Sequence, residues 1–447
     1  MRRAGKKDIL NGNIAEQMLM LLFPLFLGYL LQQLYSFADN IVLGRLISKE
    51  ALAAVGGSAN SLINIVLNFV GGITSAITVL VAQSYGSGNM EKVHNSVRTG
   101  MFVSIVCGLV LIVLMSVVSP FWLTLMNEPA ETRALSLTYM YFYFGSIAFY
   151  FVYQTGISIL RALGDSRRPL MLIGITAASK ILLDLLFAGV FKMGVFGTSL
   201  ATFLTHLISA AVILFIFHKT SDVYYYSLKD FGFVKEDLKR IFAVGLPFAT
   251  QSMMFAIPNA MIQYKVNSFG TDAVAAYSAY NSVDALFWCF SNGICTATIT
   301  MASQNFGHGN RKRVRQILWT ACGVEAVGVA IFGLIFWFAG RNILTLFLKD
   351  PIPLDLAEKM LKTIAASYVL TIIVDIFSSV FKSCGMVKSP LATAVVTVCI
   401  SRILFTLFYP INDPVTVVYA FPLSWILTSI AYLGLYFIRK DVFGNKA

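Results

Sequence analysis

Charge is what this sequence has least of. Asp, Glu, Lys and Arg make up 13% of its 447 residues. A water-facing surface needs about twice that share, so an ordinary soluble domain is excluded. Cysteine is sparse: Cys107, Cys289, Cys295, Cys322, Cys384 and Cys399 are the six, and no two form a C-x-x-C pair. They read as small packing residues and exclude a disulfide framework or a thiolate metal site. No H-E-x-x-H, G-x-S-x-G or P-loop occurs, and no Cys/His cluster has metal spacing. A membrane-embedded enzyme therefore has nothing to rest on, and no cofactor is expected. Period-two alternation is also missing, which excludes a membrane β-barrel.

What the chain has is apolar length. Hydrophobic residues are 57% of it, and runs of roughly 20 such residues are long enough to span a bilayer. Twelve are predicted, at 16–44, 51–83, 95–118, 134–160, 169–191, 194–217, 241–269, 273–303, 316–339, 362–383, 389–409 and 414–438. Each must be a helix, because lipid offers the backbone no hydrogen bonds. The net charge of +12 is a matter of topology, not of nucleic acid. With both termini inside, 23 Lys/Arg fall on the inner side and 9 on the outer, and Lys180 and Arg402 lie within spans. That asymmetry places both termini in the cytoplasm of a multi-pass cell-membrane protein. The clusters Arg161-Arg167-Arg168 and Arg311-Lys312-Arg313-Arg315 then read as topology signals, with an anionic-lipid site as the alternative. The pair Arg2-Arg3 before the first run does not make an export signal, since that run is too long and no small-residue cleavage site closes it.

A constant shift of 221 positions maps one half of the chain on the other. Gly72-Ile73-x-x-Ala76 returns as Gly293-Ile294-x-x-Ala297. Gln83-x-x-Gly86-x-Gly88-Asn89 returns as Gln304-x-x-Gly307-x-Gly309-Asn310, and Gly164 and Pro169 return as Gly385 and Pro390. The expected fold is all-α and integral to the membrane. Its twelve transmembrane helices form two six-helix bundles, 1–217 and 241–447, related by a pseudo-two-fold axis along the membrane normal. Residues 218–240 are the expected cytoplasmic linker. The repeated glycines are expected to end spanning helices in left-handed turns.

Together these features resemble the multidrug and toxic compound extrusion (MATE) family. The resemblance rests on the two six-helix halves, on Pro24 and Pro247 early in the first and seventh spans, and on the A-Q-x-x-G-x-G-N cassette. Leu163-Gly164-Asp165 with Pro169, and Gly194-Val195-x-Gly197-x-x-x-Ala201-Thr202, add to it. It implies alternating-access export of small organic cations and related amphiphiles, driven by inward protons or sodium. A monomer surrounded by membrane lipid is expected. The alternative is a flippase of the same superfamily for lipid-linked oligosaccharides, which favours a strongly cationic cleft and often fourteen helices.

Ionisable residues at membrane depth are functional candidates because they are costly there. The first half offers Asp39, Lys180, Asp184 and His206; the second offers Asp284, Glu325, Asp375 and Arg402. Asp39 and Asp184 lie at similar depth, and two carboxylates sharing a dry site cannot both ionise cheaply, which makes a proton carrier. The competing reading is a structural ion pair of Asp184 with Lys180, its i, i+4 neighbour. The family resemblance implies a cation site at Asp39, Lys180, Asp184 and Thr202, with Tyr35 one turn below Asp39. Lys180 departs from that pattern, which has asparagine there. Its ammonium would stand where sodium at Asp39 and Asp184 needs room, so the departure favours protons. The acidic position some members carry after the seventh-span proline is Phe255 here.

Asn60, Asn64 and Asn68 form one polar stripe on the second span, repeated in part by Asn281 and Asp284 on the eighth. The stripe is expected either to line the substrate cleft or to join helices within a bundle. Asp284 and Asp375 either attract a cationic substrate or pair with Arg402. Glu325 is expected in the headgroup zone, and His206 as a hydrogen-bonded packing residue.

Overall fold

A computed structural model of the chain describes residues 9–42, 47, 51, 54–439 and 442; the side chains at 36, 38–42 and 228 lie outside that description. Helices are the only regular structure among the described residues. Helix α1 runs Ile14–Val42, α2 Asn60–Gly86, α3 Met90–Leu125, α4 Ala130–Gly145, α5 Ile147–Ala162, α6 Arg167–Asp184 and α7 Gly194–Lys219. Then come α8 Lys235–Met254, α9 Ala256–Asn267, α10 Thr271–Gly307, α11 Arg311–Phe338 and the short α12 Gly340–Leu344. The last are α13 Pro351–Ser367, α14 Thr371–Ser383, α15 Lys388–Ala394, α16 Ser401–Phe408 and α17 Ala420–Ile438.

Eleven helical stretches are long and apolar enough to cross a membrane, and α4 with α5, bent by 47°, completes the expected twelve. The bend sits at Ser146, whose hydroxyl donates to the Tyr143 carbonyl at 2.7 Å. That local bond competes with the helical ladder and turns the chain. Wide π-type turns follow Asp184, at Leu185–Val190, and precede Ser401, at Val395–Ile400. Such turns re-aim the residues beside them.

The repeated cassette is a helix stop followed by a helix start. Helices α2 and α10 end at Gly86 and Gly307, two residues before Gly88 and Gly309 at φ 76° and 82°. Asn89 and Asn310 then cap the next helices, their Oδ1 atoms accepting from the backbone N–H of Lys92 and Arg313, both at 3.0 Å. Gly164 and Gly385 take the same left-handed conformation, at 85° and 74°. A Cβ at these φ values crowds the following carbonyl, at roughly 1–2 kcal/mol. Gly88→Ala and Gly309→Ala should therefore each lower the thermal midpoint of purified protein, and asparagine at either position should lower it less. Equal midpoints for glycine, asparagine and alanine would remove this account of the cassette.

Two compact units emerge, and their edges differ from the expected boundaries. One is Leu27–Ala249; the other joins Met1–Phe26 to Thr250–Ala447. The division falls inside α1 and inside α8, not at residues 217 and 241. The reason is packing. Met18, Leu21, Leu22 and Leu25 are buried in one cluster with Ile294, Ala297 and Met301, and Asn305 Nδ2 donates to the Ile9 carbonyl at 3.3 Å. In the Leu27–Ala249 unit, Gly72 opens the space through which α8 passes: an added Cβ would stand 2.3 Å from the Ala249 nitrogen. Segment 218–240 is likewise no free linker. Tyr224 and Tyr226 enter the core of that unit. Arg98 Nε donates to the Asp230 carbonyl at 2.7 Å, and Val234 N–H to Thr99 Oγ1 at 3.0 Å.

Candidate functional site

In the Leu27–Ala249 unit the polar centre lies on α6. Lys180 and Asp184 stand one turn apart on an inward face, each 1% exposed, and the ammonium donates to Asp184 Oδ2. The ion pair weighed as a structural alternative therefore forms. Tyr35 of α1 presents its ring 5.9 Å from Lys180 Nζ, an arrangement that favours the cation electrostatically. Asp39 belongs to the same helix, but its side chain lies outside the described residues. Thr202 is buried on α7 and gives its hydroxyl proton to the Thr198 carbonyl at 3.0 Å, leaving its oxygen as an acceptor. His206, one turn further, has Nδ1 2.7 Å from Ser146 Oγ at the α4–α5 bend. It is buried and hydrogen-bonded, as a packing histidine should be.

Asn60, Asn64 and Asn68 are exposed along one face of α2, opposite the buried Leu62, Val66 and Val70. Asn64 Nδ2 donates to Asn60 Oδ1 at 3.1 Å, so two stripe members hold each other rather than a neighbouring helix. Asn281 is exposed in the same way on α10. Asp284 is not. It turns into its own unit, accepting from Trp288 Nε1 at 2.7 Å and from the Tyr368 hydroxyl. Tyr368 in turn stacks on Phe287 with ring centroids 3.7 Å apart. Asp284 is thus satisfied inside the unit and does not continue the exposed asparagine stripe.

The second carboxylate centre differs most from expectation. Glu325 does not face a headgroup zone: its exposure is 0%. Ser291 Oγ lies 3.0 Å from Glu325 Oε1 and 2.8 Å from Asp375 Oδ2, so one serine joins α10, α11 and α14. Glu325 Oε2 is buried with no hydrogen-bond partner among the described residues. A serine hydroxyl has a single hydrogen to give. It can satisfy one ionised carboxylate; Glu325, fully buried where Asp375 is half-buried, is the one placed to carry a proton and donate it back to the serine oxygen. A charge on Glu325 would otherwise be buried with one of its oxygens unsatisfied. The arrangement fits one shared proton and resists two negative charges.

Glu325 was legible from helix arithmetic: it is 14 residues past Arg311, which at 1.5 Å per residue is about 21 Å along the helix. An expected span starting at 316 places it too near the rim. Ser291 gives no such signal, because a lone serine in an apolar run is ordinary. The ion pair weighed between Arg402 and Asp284 or Asp375 does not form: Arg402 binds only neutral groups among the described residues.

No group of three or more His, Cys, Asp or Glu suited to a metal ion occurs among the described residues. A family model described as MatE matches residues 24–186 and 244–408, two stretches that mirror the internal repeat. The chain is 28% identical over 414 residues to the probable multidrug resistance protein YpnP of Bacillus subtilis, covering 90% of each chain. It is 26% identical over 385 residues to the probable multidrug resistance protein YoeA of the same organism, covering 85% of this chain and 83% of the relative. A solved structure described as the outward-facing conformation of a multidrug resistance MATE family transporter superposes with a TM-score of 0.90 at 20% identity, over 99% of both chains.

Proposed function

Since the chain belongs to the MatE family, we propose that it is a secondary active antiporter that exports organic cations and drug-like amphiphiles against inward protons by alternating access. The observation that carries proton coupling is the single hydroxyl of Ser291 shared by Glu325 and Asp375. With one proton on the pair, three helices are tied through the serine. Without it, buried Glu325 and half-buried Asp375 compete for one hydrogen, and the tie through the serine weakens. A proton that binds one arrangement better than the other shifts their balance, and a substrate that prefers the opposite arrangement is then coupled to it. Asp39 and Asp184, with Tyr35 and Thr202 nearby in sequence order or space, are the second proposed coupling centre. There the Lys180 ammonium on Asp184 takes the place a sodium ion would need.

The names of the relatives support small-molecule drugs as substrates. The exposed asparagines of α2, with Asn281, offer neutral hydrogen bonds to such molecules without fixing their shape. The protein is proposed to work as a monomer in the cell membrane, both termini in the cytoplasm.

Proteoliposomes with imposed gradients test this. A proton gradient should drive movement of a lipophilic cation such as tetraphenylphosphonium, and a sodium gradient at constant pH should not. Glu325→Gln keeps the carbonyl acceptor but cannot release a proton. It should lower gradient-driven transport about tenfold or more, the scale of losing a group that carries the proton, while substrate counterflow persists. Asp39→Asn should abolish the gradient-driven component, and Lys180→Asn should open the site to sodium. Sodium-driven transport by the parent chain would defeat the assignment of the ion.

A further inference from the structure

A buried cation of the Thr250–Ala447 unit has no counter-ion among the described residues. Arg402 on α16 is 6% exposed, yet no carboxylate pairs with it among the described residues. Nε donates to Ser424 Oγ at 2.9 Å, and Nη1 to Asn259 Oδ1 at 3.1 Å. Nη2 makes no hydrogen bond with any described residue, and it is not among the polar atoms sealed from the surface. The guanidinium lies over the Phe421 ring, 4.5 Å from its centroid. Phe421 continues an aromatic line to Trp425, 6.1 Å away, and Trp425 to Trp288, 6.2 Å further. Asp284 lies at the end of that line, both its oxygens already taken by Trp288 and Tyr368. It does not reach the arginine.

A charge in a membrane interior without a partner is expensive, and its retention calls for a ligand that supplies one. Asn259 and Gln263 are a turn apart on α9, and Asn259, which covers the guanidinium tip, is itself exposed. Polar side chains at this depth need water or protein against them.

We propose that Arg402 is an anion subsite that takes the carboxylate of an amphiphile, with Phe421 and Trp425 beside its apolar body. The planar guanidinium suits a carboxylate through paired N–H donors, and an aromatic face behind it suits a flat ligand. The substrate class then includes zwitterionic amphiphiles besides plain cations. This rests on the transport reading above and adds a chemical selectivity to it.

Rhodamine B and its ethyl ester test the subsite, since they share one ring system and differ only in a carboxylate. Binding to the full-length protein in dodecyl maltoside is read by dye anisotropy. The parent should prefer the acid. Arg402→Gln should weaken the acid about tenfold, the scale of losing one charge-assisted hydrogen-bonded contact, and leave the ester within about twofold. If Arg402→Gln does not yield folded protein, Arg402→Lys carries the test, because an ammonium cannot make the paired contact and the acid preference should shrink while ester binding stays. No preference in the parent, equal losses for both dyes, or no loss for either would overturn the subsite. A preserved acid preference with neither dye moved in proteoliposomes would overturn the transport reading and leave the subsite standing.

Discussion

Gly72→Ala should leave little folded protein, although it adds one methyl group. The new Cβ would stand 2.3 Å from the backbone nitrogen of Ala249 and 2.4 Å from its Cα. A side chain can swing aside; a helix backbone whose own Ile241 and Phe248 are buried cannot do so cheaply. Inserting one methylene into a packed interior costs about 1–3 kcal/mol where side chains can adjust, and backbone contact at this distance belongs above that range. Two other glycines make the comparison quantitative. At Gly293, its partner in the repeat, an added Cβ meets Leu22 Cδ1 at 3.1 Å and the Phe26 nitrogen at 3.2 Å, so Gly293→Ala should cost less. At Gly71 nothing lies within 4 Å, and Gly71→Ala should leave stability unchanged or raise it, since alanine favours helix. Thermal midpoints from tryptophan fluorescence would rank the three. If Gly72→Ala melts with Gly71→Ala, α8 does not pass where this structure puts it.

The other large effect is expected at the buried ion pair. Lys180→Met removes the ammonium and leaves Asp184 buried at 1% exposure beside an apolar side chain. Breaking such a pair from one side costs about 3–5 kcal/mol. Replacing both partners is different, because a pair of apolar residues carries no desolvation penalty. Lys180→Met with Asp184→Leu should therefore recover most of the lost stability while failing to couple transport to protons. A double variant as unstable as the single one would mean that the pair contributes net stabilisation of its own. A double variant that still couples would remove Asp184 from the mechanism.

The scaffold and the charges obey different rules in this chain, and that decides what was readable. The shift of 221 carries Gly88 onto Gly309 and Asn89 onto Asn310, and both pairs have the same conformation and the same capping bond. The same shift carries Lys180 onto Ser401, Asp184 onto Phe405, and brings Glu325 and Asp375 back onto Ser104 and Gln154. Turns and close approaches are local demands on the backbone, so they recur with the repeat and show in the sequence. The ionisable centres belong to one half each; Lys180 and Asp184 are local neighbours, but Ser291 reaches Asp375 across 84 positions.

Span number, helical class, the repeat and the family resemblance followed from the sequence alone, because lipid leaves the backbone a single solution and glycine and asparagine mark where it turns. Tertiary structure alone decided that one unit takes α1 as far as Phe26 and the other takes α8 as far as Ala249, that Glu325 and Asp375 share one serine, and that Arg402 has no acidic partner among the described residues. Those facts depend on which faces of distant helices meet, and hydrophobic pattern in a membrane protein does not record it, since lipid-facing and buried surfaces are equally apolar.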